Sequence, residues 1–248
     1  MSPTSWFNEY IAKKTPGAEW DAREAFTLRL CMKYADDAAC TQYVLASADA
    51  FIQAGKCTPA NAWALFFALD KTGEEKYREA IRQVMAKLNE QAAVSGLVEA
   101  YETLPFCMAY EMKLNRMERV GQTAAMFRSV HQRLWKAKTG RHDATLREEG
   151  WFLLGLTDAI EVCSDQLYEH WRAMVDIYRE TLRGVLRELE AADPQTLALL
   201  LYALLAGVEM GLIDPERYLP VACKGIASLR ESGENQAADI LEEGVAAL

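Results

Sequence analysis

Two pairs of ionisable residues have the types and the spacing for proton transfer. Glu99 and Glu102 are three residues apart, so a helix would place both carboxylates on one face. If both point into a cavity, like-charge repulsion raises the pKa of one and leaves one acid and one base; if both point outward, they are ordinary surface glutamates. His142 and its neighbour Asp143 could pass a proton near neutral pH. Alternatively, Asp143 caps the helix that begins near Leu146, and His142 is exposed in the turn.

Arg147 and Trp151 form a second candidate group, because their spacing of four places both side chains on one helical face. The planar fork of an arginine pairs bidentately with a carboxylate, so Arg147 suits an acidic ligand. Gly150 between them lets another group approach the backbone closely. The same residues could instead serve the fold, with Arg147 in an arginine–glutamate pair and Trp151 packed in the core.

Helical periodicity extends over almost the whole chain, and no run alternates with the period of two that is typical of a strand. Turn signals divide the chain into about eleven or twelve pieces, each of one helix length. Mostly apolar helices alternate with amphipathic ones; the apolar set is 59–69, 150–162 and 194–212, and the amphipathic set is 74–90, 117–138, 165–190 and 215–231. Because an apolar helix must be covered on most sides, the alternation predicts an all-α protein with an inner ring of helices inside an outer ring.

The composition limits the kinds of function that the chain can have. Its 248 residues carry a net charge of −9, which argues against nucleic-acid binding because phosphate neutralisation needs clustered lysine and arginine. No segment is apolar for long enough to cross a membrane, and the N-terminus lacks the order of a signal peptide. Six scattered cysteines without a C-x-x-C pair, and three histidines without ligand spacing, predict a reduced, soluble, cytoplasmic protein with no metal site.

Four segments resemble, in order, the glycoside hydrolase family 88/105 proteins, the unsaturated glucuronyl and rhamnogalacturonyl hydrolases. Residues 65–81 are similar to the family's apolar helix, its T-G-D-x-K-Y hinge and the helix that follows. Residues 101–111 carry the Pro-Phe pair of the family's next motif. Residues 147–158 match the family's R-x-x-G-W pattern, and residues 202–222 are similar to the family's penultimate hairpin. The resemblance implies a closed (α/α)6 barrel, or toroid of helical hairpins, as a single domain over residues 1–248. Residues 1–17 could form a loosely packed N-terminal arm.

The resemblance also implies a substrate and a mechanism. Proteins of this family remove the unsaturated uronic acid at the non-reducing end of a short oligosaccharide by hydrating its C4=C5 double bond, without a cofactor or metal. The implied partner is therefore a small acidic oligosaccharide, with no nucleic acid and no membrane. In this chain the implied acid/base is Glu99, where the family has an aspartate; His142 or Asp143 would assist, and Arg147 would clamp the uronate. The other expected substrate-binding residues are Trp63, Tyr101, Glu102 and Trp151, although the aromatic ones could equally belong to the core.

Two loops that carry active-face residues in the family are short in this sequence, at 141–146 and 191–195. The helices of the barrel are kept while its loops are reduced. Two functions therefore stay open: a hydrolase of the family type, or a catalytically degraded barrel that binds a carbohydrate or a protein. An unrelated helical-repeat scaffold is a third, and the oligomeric state is left open.

Overall fold

The fold is described from a computed structural model, for residues 2–18, 20–89, 94–163, 167–246 and 248. Within these residues the chain forms twelve α-helices, one short 3-10 turn and one antiparallel pair of two-residue strands. In chain order the elements are α1 (Ser5–Ala12), α2 (Ala22–Lys33), α3 (Ala38–Gln53), α4 (Ala62–Thr72), α5 (Glu75–Asn89), α6 (Leu97–Leu114), α7 (Val120–Leu134), β1 (Trp135–Lys136), β2 (Arg141–His142), α8 (Leu146–Val162), α9 (Tyr168–Val185), the 3-10 turn (Leu189–Ala191), α10 (Pro194–Glu209), α11 (Pro215–Glu231) and α12 (Asn235–Ala246).

Local capping signals explain where many of these helices begin and end. Asp193 accepts hydrogen bonds from two backbone N–H groups in the first turn of α10, and Pro194 occupies the first helical position. Asp214 and Pro215 open α11 in the same way. Helix α4 ends at Gly73, whose φ of 70° is left-handed and therefore favours glycine. These boundaries follow from the short-range chemistry of the turns.

The predicted alternation of apolar and amphipathic helices is present. Helix α10 is apolar nearly all round, and every residue from Thr196 to Leu205 is buried. Helix α9 is amphipathic, with buried residues at helical spacing and charged residues towards solvent. The predicted start of this helix, at residue 165, lies outside the described residues.

The chain divides into two compact units, residues 1–91 with 239–248 and residues 92–238. In the first unit α3 packs against α1, α2 and α4, and α4 packs against α5. In the second unit the apolar helix α8 packs between α6 and α10. The amphipathic helices α7, α9 and α11 each pack against the apolar helix that precedes them. A single domain over the whole chain stays a prediction.

The N-terminal segment contributes a packed helix to the first unit. Phe7 and Ile11 of α1 are buried, although both lie in the segment that the sequence suggested as a loose arm. Thr4, which caps α1, donates its hydroxyl to the buried carboxylate of Glu243 on α12 at 2.5 Å. Tyr34 donates to the same carboxylate at 2.7 Å.

A short β hairpin, residues 135–142, joins α7 to α8. Trp135 pairs with His142, and Lys136 pairs with Arg141. The prediction of a helix through residue 138 was wrong in its last residues, since α7 ends at Leu134. The chain turns back at Gly140, where φ is 66°. Two cross-strand pairs are too few to be stable alone, so side-chain contacts must hold the hairpin.

The described residues contain no helix that is long and apolar enough to cross a membrane. Within the same part of the chain, no three His, Cys, Asp or Glu side chains lie close enough together to hold a metal ion. None of the six cysteines, all of which are described, forms a disulfide.

Candidate functional site

Helices α6, α8 and α10 of the second unit begin at the same end, and this end gathers several predicted site residues. The rings of Tyr101 on α6 and Trp151 on α8 have centroids 4.6 Å apart and planes tilted by 33°. Arg147, one turn before Trp151, donates from Nη1 to the side-chain oxygen of Gln195 on α10 at 3.3 Å. We call this place, defined by Tyr101, Arg147, Trp151 and Gln195, the helix-start end of the second unit.

Glu99 lies at this end, where it acts as a cap of α6. Its carboxylate accepts hydrogen bonds from the backbone N–H and the hydroxyl of Ser95, at 2.7 and 2.8 Å, and from Gly96 N–H at 3.1 Å. These bonds, led by the one from the Ser95 backbone, lower the pKa of Glu99. An ionised carboxylate can accept a proton but is a poor acid. Glu102 is exposed one turn later on α6.

Arg147 is exposed, and its partner Gln195 carries no charge. Asp193, the cap of α10, lies near the guanidinium. The pKa of Asp193 is lowered chiefly by the Thr196 hydroxyl that donates to it, and to a smaller degree by the charge of Arg147. Asp193 is therefore engaged mainly by its own helix, α10. The guanidinium of Arg147 keeps its capacity to bind another carboxylate.

The two aromatic residues at this end differ in exposure. Tyr101 is buried, whereas Trp151 is half-buried. The close approach of α6 and α8 depends on Gly155, since a Cβ there would lie 2.9 Å from the Cα of Tyr101. Trp63, the remaining aromatic candidate, belongs to the first unit and is half-buried, with the Arg29 guanidinium 6.0 Å from its ring centroid.

His142 lies in the hairpin with its side chain fully buried. Its Nδ1 is 3.0 Å from Oε1 of Glu149 on α8, and its backbone N–H donates to the same oxygen at 2.8 Å. Arg141 donates to the other oxygen of Glu149 from Nε at 2.7 Å and from Nη2 at 2.5 Å. Arg141 also pairs with Glu188. The fully buried Glu149 carboxylate thus gathers four donors from the hairpin.

The buried chain continues beyond His142 to His131 on α7. His142 Nε2 and His131 Nδ1 are 3.0 Å apart, and His131 Nε2 is 3.3 Å from an oxygen of Glu180 on α9. Burial lowers the pKa of His131, the proximity of His142 lowers it further, and Glu180 opposes both effects. The hairpin is therefore held to α7, α8 and α9 by ionisable side chains.

Asp143 is exposed and pairs with Lys136 across the hairpin at 3.3 Å. The alternative role suggested for it was wrong, because Thr145 caps α8. The Thr145 N–H in turn donates to the Glu148 carboxylate at 2.8 Å, which completes a capping box. The expectation that His142 is exposed in the turn was also wrong, because His142 is buried.

Sequence reasoning missed Glu149 and His131, which hold the hairpin. Glu149 directly precedes the predicted apolar helix 150–162, and a charged residue on an apolar face is the one local signal that could have identified it. His131 gave no such signal, since its partners are distant in the sequence.

Comparisons with known proteins identify the fold. No protein-family model matches the sequence, and no curated protein matches it. A family 105 glycoside hydrolase from Clostridium acetobutylicum ATCC 824 is similar in structure, with a TM-score of 0.74, 17% identity, and coverage of 92% of this chain and 83% of that one. A family 88 glycosyl hydrolase from Bacteroides vulgatus matches with a TM-score of 0.69 at 12% identity, covering 88% of this chain and 80% of that one.

A polysaccharide lyase shares the fold as well, with a TM-score of 0.67, 12% identity, and coverage of 89% of this chain and 78% of that one. These matches confirm the predicted fold class, an all-α barrel of helical hairpins like that of the family 88 and 105 proteins. At such low identity the likeness establishes the fold alone. Since hydrolases and a lyase share it, the function must be argued from the side chains.

Proposed function

We propose that the protein is a glycoside hydrolase-like protein that takes a short oligosaccharide ending in an unsaturated uronic acid. The ligand would bind at the helix-start end of the second unit. One observation carries the proposal: Arg147 stands one helical turn from Trp151, whose ring packs on Tyr101. The arginine fork suits the planar carboxylate of a uronate, and the half-buried indole offers apolar surface to a sugar ring.

In the enzymatic form of the proposal, Glu99 takes a proton from the water that adds to the C4=C5 bond. Its capping bonds keep it ionised and so able to accept a proton, but the lowered pKa makes it a weaker base than an uncapped glutamate. Hydration of the double bond also requires an acid, and Glu102 on the same helix is the nearest carboxyl in sequence. His142 and Asp143 would assist only indirectly, since one is buried in the hairpin network and the other is paired with Lys136.

The state of Glu99 also favours the second candidate function, a carbohydrate-binding barrel without turnover. The carboxylate that the resemblance assigns as acid/base is engaged in three hydrogen bonds that stabilise α6. A group used as a helix cap is costly to redirect to chemistry, since losing a cap costs about 1 kcal/mol.

The test uses unsaturated glucuronyl and rhamnogalacturonyl disaccharides. Loss of the double bond's ultraviolet absorbance reports turnover, and titration calorimetry reports binding. We expect Arg147→Met to weaken binding at least tenfold, since it removes a charge-assisted bidentate pair worth about 1.5–3 kcal/mol. Arg172→Met is the matched control, because Arg172 is an exposed arginine of α9 that pairs with Asp176.

Turnover that Glu99→Gln abolishes would establish the hydrolase. Binding without turnover would establish the second function. If neither disaccharide binds, or if Arg147→Met and Arg172→Met bind equally well, the proposal is overturned.

We also propose a cytoplasmic location. It is supported by the cysteines, none of which forms a disulfide in the described residues. Cell fractionation of the tagged protein tests it, and recovery from an extracytoplasmic fraction would contradict it.

A further inference from the structure

The two buried histidines form a continuous row of ring nitrogens between two carboxylates. From Glu149 Oε1 the row passes through both nitrogens of His142, then through both nitrogens of His131, and ends at Oε2 of Glu180. The gaps at Glu149 and between the two rings are 3.0 Å each, which is a hydrogen-bond distance; the gap between His131 and Glu180 is 3.3 Å, an ion-pair distance just beyond the usual hydrogen-bond range. Glu149 is fully buried, whereas the Glu180 side chain is 51% exposed.

This row of hydrogen bonds needs more ring protons than two neutral histidines carry. A carboxylate can only accept, so a ring N–H must face Glu149 and another must face Glu180. One more proton must lie between the two rings. Three ring protons are therefore needed, whereas two neutral imidazoles carry two. With two protons, one of the three bonds is missing.

We propose that His131 and His142 together bind one extra proton, and that this proton closes the bond between His131 and Glu180. The β hairpin and α9 are then joined by a proton-dependent latch. Without the extra proton, His142 still donates to Glu149, and His131 Nδ1 donates to His142. The bare Nε2 of His131 then faces a carboxylate, and the half-exposed Glu180 turns to water.

The surroundings make the Glu180 end of the row the variable one. The charged group that faces His142 from α8 is Glu149, and Arg141 neutralises its second oxygen. The ionisable groups that act on His131 are His142 from β2 and Glu180 from α9. Because burial opposes a charge on His131, the proton is taken up below the ordinary histidine value of 6.5.

Nitrogen-15 NMR of the imidazole rings tests the latch directly. The chain has three histidines, and His170→Gln removes the one outside the row to complete the assignments. Between pH 8 and 4.5 we expect the pair to take up one proton. In Glu180→Gln the midpoint should fall by about 1 pH unit, the lower end of the range for a nearby opposite charge, because Glu180 is half-exposed. Glu169→Gln, on the same helix, removes an equal charge and should leave the midpoint unchanged.

Trp135 supplies an independent optical readout, since its ring lies 4.9 Å from His131 and 5.1 Å from His142. A protonated imidazole quenches indole fluorescence, so acidification should quench the wild type with the NMR midpoint. Trp135→Phe should lose that transition. Uptake of two protons, uptake of none, or equal midpoints in Glu180→Gln and Glu169→Gln would each overturn the latch.

Discussion

Replacing Glu149 should be one of the most damaging single changes in the second unit. Its carboxylate is fully buried and accepts four hydrogen bonds, two from Arg141 and two from His142. Glu149→Ala would leave these donors without their acceptor. Breaking a buried ion pair by removing one partner costs about 3–5 kcal/mol. Arg141 would keep its pair with half-exposed Glu188, so we expect a loss near the lower end of that range. Since a domain has only about 5–15 kcal/mol of stability, this is a large fraction.

The assay is guanidinium unfolding followed by far-ultraviolet circular dichroism. Glu149→Gln keeps the side-chain volume, and gives a measurable midpoint if the alanine variant does not fold. Glu188→Gln is the matched control: it removes the other carboxylate that pairs with Arg141, but that carboxylate is half-exposed. Exposed pairs contribute about 0–1 kcal/mol, so we expect a loss in that range.

A double-mutant cycle separates the pair from the rest of the network. Glu149→Gln with Arg141→Met should show a coupling energy of about 2 kcal/mol, within the range for residues of one network. A loss below about 1 kcal/mol for both Glu149 variants would refute the assignment of the carboxylate as the anchor of the hairpin. Equal losses for Glu149→Gln and Glu188→Gln would refute the argument from burial.

Three further changes test other parts of the structure. Gly207→Ala should cost about 1–3 kcal/mol, because its Cβ would lie 2.0 Å from the hydroxyl oxygen and 2.6 Å from Cζ of buried Tyr178; thermal melts should show a smaller loss for Gly96→Ala, where nothing lies within 4 Å of the added Cβ, and equal losses would contradict the clash. Stability should fall as pH falls through and below 6.5, because the lowered pKa of His131 makes the folded state bind fewer protons than the unfolded one; urea midpoints at several pH values should show a flatter profile for His131→Gln, and an unchanged profile would refute the linkage. Glu99→Ala should cost about 0.5–2 kcal/mol through loss of the α6 cap, measured by urea unfolding, and a neutral result would show that the cap is dispensable.

The parts of the fold that depend on short-range signals could be predicted from the sequence. Asp193-Pro194 marked the start of α10, and apolar periodicity marked its buried faces, because both act within a few residues. The hairpin could not be predicted in this way. Its two strands are too short for a periodic pattern, and its order depends on partners in α7, α8 and α9.

In the candidate site, too, only the features that depend on short-range spacing could be predicted from the sequence. The spacing of Arg147 and Trp151 was enough to place both at one end of α8, because the period of a helix is known in advance. The environment of His142 could not be predicted, because a histidine next to an aspartate is consistent with an exposed turn or with a buried network. Glu99 was selected by its distance from the Pro-Phe pair, and its engagement with Ser95 became visible only in the structure.

The capped starts of three helices have a consequence for how ligand preference could change over time. A helix start carries about half a positive charge, and Glu99, Glu148 and Asp193 each place a carboxylate on one such start. The backbone dipoles at this end are thus already balanced by the protein's own anions. Under the proposed function, the choice between an acidic and a neutral sugar then depends on Arg147. A change in a single codon could move the protein from one class of glycan to another while every helix start stays intact.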